Sequence, residues 1–149
     1  MKFLITSLLT VIIIILVIVV LNIERNPSNA YVKIDGKTFY VDVAKTPKQQ
    51  ELGLDIYNKL PQDRGMIFPF SYPDYYAFWM HGMKFPIDII YINNDKIVDI
   101  FPNLPYPKNI NEQPVTVTPS EKANYVLEIN AGLSQKYHFK KGDVVEISL

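Results

Sequence analysis

RGMIFPFSYPDYYAFWMHGMKFPIDIIYI occupies residues 64–92 and decides the fold. Its last six residues, 87–92, include four β-branched isoleucines, which marks a strand fitted to a packed sheet. Its start, 65–68, reads as a short apolar strand. Two prolines then make 69–74 a loop. Residues 75–80 follow as an aromatic-rich strand, and His81-Gly82-Met83-Lys84 as a turn. The stretch holds the only Trp, three of the four Met and one of the two His.

Downstream, Asn93-Asn94-Asp95-Lys96 reads as a hairpin loop returning through 97–101. Residues 102–119 contain five prolines and no periodicity beyond Val115-Thr116-Val117. That predicts a long surface loop, and such loops often serve as binding loops or lids. Residues 124–130 alternate as a strand, with Tyr125, Leu127 and Ile129 on one face and Val126, Glu128 and Asn130 on the other. A short helix or turn over 131–139, a turn at 140–143 and a closing strand over 144–149 complete the C-terminus.

Upstream, 31–34 and 37–43 predict a hairpin around Asp35-Gly36, a favoured turn pair. Thr46-Pro47-Lys48-Gln49 predicts a capped helix start, with Pro47 in the first turn and Gln49 closing a capping box. Many short strands with turn-rich joints predict a mainly β domain: a single jelly-roll-like sandwich or barrel with one or two short helices.

Before this domain lies an apolar run. Residues 3–21 carry no charge, close to the ~20 residues that cross ~30 Å of hydrocarbon as a helix. The run is longer than a signal-peptide core and no small-residue cleavage pattern follows it. The expectation is an N-terminal transmembrane anchor over 1–25, a tether over 26–30 and a β-rich domain over 31–149. Lys2 precedes the span, while Glu24 and Arg25 cancel after it. This places the C-terminal domain outside the cytoplasm, with the lipid bilayer as partner through residues 3–21.

Composition closes off several functions. Fifteen basic and fifteen acidic residues give a formal charge of zero, with no basic stripe for nucleic acid. The absence of cysteine excludes thiol nucleophiles, disulfides and thiolate metal sites. Zinc spacing, a phosphate loop and a nucleophile elbow are absent as well.

Five segments occur in a telling order: ELGLDIY at 51–57, LPQDRGMIFPF at 60–70, FWMHGMKFPIDIIYI at 78–92, YVLEINAG at 125–132 and KGDVV at 141–145. Together they resemble the uncharacterised domain-of-unknown-function family numbered 192, over nearly everything from about Tyr31 onward. The resemblance implies a small, β-rich, jelly-roll-like domain, often secreted or anchored, with no established activity, substrate or cofactor. The family pattern places a basic residue, Asn and Thr after its Trp-Met pair. Here those positions are His81, Gly82 and Met83. Gly53-Leu54-Asp55 likewise departs from the usual Gly-Leu-Met.

Three functional readings follow, each beside a plainer one. Trp79 and its aromatic neighbours form either core or a platform on which sugars and flat ligands stack. Met80, His81, Asp88, Glu128 and Arg64 would frame that site beside loop 102–119. Asp88 lies in phase with Ile90 and Ile92, and Glu128 with Val126, so both carboxyls face inward. They serve either as an acid and base pair acting on an envelope glycan, or as structural acceptors, Asp88 taking backbone N–H groups or Arg64. Met80, His81 and Met83 are soft ligands suited to Cu(I), although strand geometry points Met80 and His81 to opposite faces. The reading adopted is a membrane-anchored, extracytoplasmic binding or accessory domain for a carbohydrate-like or small ligand. Catalytic residues are unassigned, and no resident metal or cofactor is expected.

Overall fold

The computed structural model describes residues 30–149; the expected anchor and most of the tether lie outside the described residues. Asp35 and Gly36 both take positive φ, 47° and 77°. That is the mirror-image turn whose twist matches paired strands. It joins β1 (Tyr31–Ile34) to β2 (Lys37–Val43) in register Tyr31↔Tyr40 to Ile34↔Lys37.

β2 next pairs in parallel with β3 (Arg64–Asp74). A parallel pair needs a crossover, since a tight turn cannot reverse the chain twice. The crossover carries α1 (Pro47–Leu52) and a 3₁₀ turn (Gly53–Ile56). The predicted capping box is present: Thr46 Oγ1 accepts from Gln49 N–H, and Gln49 Oε1 accepts from Thr46 N–H.

β5 (Ile87–Asn93) and β6 (Lys96–Leu104) form the next hairpin. β8 (Ala123–Asn130) inserts antiparallel between β5 and β3, and β9 (Val145–Ser148) joins the outer edge of β1. One seven-stranded sheet results, ordered β6-β5-β8-β3-β2-β1-β9. It curls into a half-barrel. Its two edges meet where Lys96 bridges Val144, and Ile97 exchanges backbone bonds with Asp143 and Gly142.

The mainly β expectation with few short helices holds, and of the sandwich or barrel expected the chain forms one curled half-barrel sheet with a separate ribbon. Residues 69–74, expected as a loop, continue β3 instead. Pro69 is the last residue paired in register with β8, opposite Tyr125, and Pro73 falls in the break of register that follows, where the ladder asks no bond of it. The ribbon is β4 (Phe78–Trp79) with β7 (Thr116–Val117), which falls within the proline-rich stretch.

Two apolar clusters sandwich the sheet. The first draws on all seven strands, from Ile34 and Phe39 to Ile90, Leu127 and Val145, and so lines the concave side. Leu133 of α2 (Leu133–Lys136) and Phe139 plug its end. The second comprises Phe68, Met80, Met83, Ile89, Tyr91, Val126 and others on the outer side of β3, β5 and β8, beneath the ribbon. Burial on both sides explains why the six residues 87–92 are all buried.

Candidate functional site

The ribbon sets an alternation that decides where each side chain goes. Phe78 pairs with Val117 and turns inward, its ring edge-on to Phe68 at 4.8 Å and to Tyr91 at 6.1 Å. Trp79 pairs with Thr116 and turns outward, with 51% of its surface exposed. Met80 turns back in and is fully buried, while its N–H donates to the Val115 carbonyl at 2.9 Å. His81 emerges again and lays its ring on the indole, centroids 4.8 Å apart and planes inclined by 25°. Gly82 takes φ 73°, and Met83 returns to the core. The result is a two-ring stack on the surface, with the expected loop supplying the strand beside it.

This alternation separates the soft ligands. The thioethers of Met80 and Met83 join the buried second cluster, whereas the imidazole of His81 is outside. The three are not gathered around one point. Among the described residues no group of three His, Asp or Glu side chains is placed to hold a metal ion.

Asp88 is fully buried and fully used. Its Oδ1 accepts from the N–H groups of Asn103 and Gly132 at 2.8 and 2.9 Å. Its Oδ2 accepts from the N–H and hydroxyl of Ser134 at 2.8 and 2.7 Å. The carboxylate ties β5 to the end of β6 and to the start of α2. This is the structural reading of the residue, satisfied by backbone donors. Arg64 is not one of them; its guanidinium lies 4.0 Å from Asp42.

Glu128 lies on the other side of the sheet. Asp88 stands opposite Ile129 of the concave cluster, while Glu128 stands opposite Ile89 of the outer one. The two carboxyls therefore share no cleft, and an acid–base pair built from them is not formed. Glu128 is 4% exposed, and no protein group among the described residues bonds its Oε2. Burial pushes its carboxyl up to about 8, against a smaller downward pull from a hydrogen bond with the Leu54 backbone. It is thus uncharged at neutral pH. Tyr91, on the same face from β5, donates to the carbonyls of Tyr76 and Val117 at 3.0 and 3.3 Å. Its phenol is also raised, by burial first and then by Glu128.

The residues that sequence reasoning missed are those covering Glu128. Gly53 and Leu54 lie directly over its carboxyl, and Asp55 packs against Gly82, where a Cβ would stand 2.5 Å from Asp55 Oδ2. The signal available was the departure at Asp55 from an otherwise apolar Gly-Leu pattern. Two open clefts also border His138, one lined by Ile100, Pro102, Ser134 and Gln135, the other by Lys33, Asp35, Lys140 and Glu146. Neither includes Trp79.

With this geometry in place, comparison with known proteins is decisive on kinship. The profile of the DUF192 family, described as Uncharacterized ACR, matches residues 30–147. The chain belongs to the DUF192 family. The match covers nearly all of the described residues. It is similar to a protein of unknown function from Novosphingobium aromaticivorans, whose crystal structure shares 34% identity and a TM-score of 0.67 over 78% of this chain and 83% of that one. It is also similar to the crystal structure of a putative transcription regulator from Sinorhizobium meliloti, with 28% identity and a TM-score of 0.69 over 79% of this chain and 92% of that one. No curated protein matches this DUF192 sequence.

Proposed function

We propose that this DUF192 protein is a binding or accessory module, held outside the cytoplasm by its apolar N-terminal run over residues 3–21. Its ligand is a carbohydrate-like or other flat-faced molecule received on the Trp79–His81 stack. The observation that carries the reading is the exposure of Trp79 between two inward neighbours. Phe78 and Met80 satisfy the outer cluster, so the indole is not needed for packing. A half-exposed indole already braced by a second ring offers a rigid, preorganised apolar face, and sugar rings present the matching apolar surface.

An accessory or binding role is favoured over catalysis because the two buried acids lie on opposite faces of the sheet. The description of the Sinorhizobium protein as a transcription regulator is not carried over. Balanced acidic and basic residues supply no electrostatic attraction for nucleic acid. Titrating the full chain in detergent with chito-oligosaccharides tests the proposal, because Trp79 is the only tryptophan and reports directly. A saturable change in emission, with binding lost by calorimetry in Trp79→Ala, is expected. Unchanged binding by Trp79→Ala refutes the platform.

A further inference from the structure

The buried acid of the outer cluster is covered by the chain itself, in a way that resembles a bound peptide. The backbone of Leu54 bonds the Glu128 carboxyl, and the Leu54 side chain is fully buried in the apolar cluster around it. Gly53 precedes it at φ 52° and ψ −139°, a conformation that residues with a side chain rarely adopt. A Cβ at Gly53 would stand 3.4 Å from Glu128 Oε2 and 3.5 Å from Phe68 Cζ. Three features of peptide recognition coincide: a backbone group on a carboxyl, a leucine in an apolar seat and a neighbour with no side chain.

Apart from the buried Leu54 side chain and the Tyr57 hydroxyl that bonds Asp42 just beyond it, the covering segment has few ties. α1 buries none of its residues. Gln50 Nε2 reaches the carbonyls of Ala44 and Pro69 at 3.2 and 3.4 Å, the second near the limit of a hydrogen bond. At the other end Lys84 Nζ donates to the Asp55 carbonyl at 2.6 Å and lies 3.4 Å from Asp55 Oδ1. That lysine is 47% exposed, so the tie is solvent-screened and weak.

We infer that residues 47–56 form a lid occupying its own binding site, and that the site takes in trans a peptide with glycine followed by leucine in place of Gly53-Leu54. When the lid lifts, it leaves an apolar seat and a carboxylic acid with an unused oxygen. With a peptide seated the carboxyl is buried again and keeps its proton, so it both donates and accepts, which matches the carbonyl and N–H of a peptide unit. The site is separate from the Trp79 stack, which faces outward from the ribbon, and does not depend on it.

Dicyclohexylcarbodiimide at pH 5, where an uncovered carboxyl still keeps part of its protons, tests the inference on the full chain. The protonated carboxyl adds across one C=N bond of the reagent: its oxygen bonds the carbon and its proton passes to nitrogen. Migration of the acyl group to nitrogen then leaves a stable acylurea, located by peptide mass mapping. The expected result is an adduct at Glu128 that forms several-fold faster in Lys84→Ala and is absent in Glu128→Gln. Millimolar acetyl-Gly-Leu-Asp-Ile-amide slows it in Lys84→Ala at least threefold, whereas the Ala-Leu-Asp-Ile counterpart leaves the rate unchanged. Failure of Glu128 to react even in Lys84→Ala overturns the lid. Equal rates with and without the glycine peptide overturn the peptide site. Neither result bears on sugar binding at Trp79.

Discussion

Replacing Glu128 with glutamine should turn a pH-dependent domain into one nearly indifferent to pH above 5. In the folded chain burial lifts this carboxyl from 4.5 to about 8. In the unfolded chain it returns to its ordinary value. Between those limits the folded state holds one proton more than the unfolded state, so unfolding releases a proton and stability falls as pH rises. The stabilisation is whole below about pH 4.5 and is lost by about pH 8. The slope is at most ~1.4 kcal/mol per pH unit, and the full loss approaches about 5 kcal/mol. That is a large share of the ~5–15 kcal/mol that holds a domain together.

Glutamine keeps the shape and cannot ionise. The variant should match the parent at pH 5 and exceed it by roughly 3–5 kcal/mol at pH 8. Urea unfolding followed by far-ultraviolet circular dichroism at pH 5, 6, 7 and 8 measures this. The difference between variant and parent cancels every other titrating group. Parallel stability curves across that range would show that Glu128 is not an uncharged acid, and the reasoning from burial would be wrong.

Other substitutions discriminate the remaining roles. Asp88→Asn puts an NH₂ where two donors converge, and should cost about 3–5 kcal/mol while exposing the Gly132 and Ser134 amides to hydrogen exchange. Retained protection there would contradict the anchoring role. Phe78→Ala should destabilise by about 2–4 kcal/mol, whereas Trp79→Ala should change stability by less than ~1 kcal/mol. Equal losses in chemical denaturation would mean that the indole is core after all.

Much of the fold was legible because its signals are local. Asp35-Gly36 and the Thr46–Gln49 box act within a few residues and appear where expected. The period-two argument also placed Asp88 and Glu128 inward correctly. What it could not give is which strand lies beside which. β8 enters between β5 and β3, and β9 joins β1, through contacts between distant parts of the chain. Proline composition misled at 69–74, since a break in register after Pro69 removes the objection to Pro73 in a strand. Around Trp79 the alternation was readable, but whether the His81 ring lies on the indole or beside it is set by side-chain rotamers, which spacing does not give. The cover over Glu128 was hidden for the same reason as the strand order. Gly53 and Leu54 reach it only through the β2–β3 crossover.

The most direct measurement is the emission of Trp79 in the full chain during titration with chito-oligosaccharides, run in parallel on the parent and on His81→Ala. A saturable spectral change in the parent, weakened several-fold when the bracing ring is removed, is the predicted result. An emission spectrum that stays fixed up to millimolar ligand would contradict the platform on which the proposed function rests.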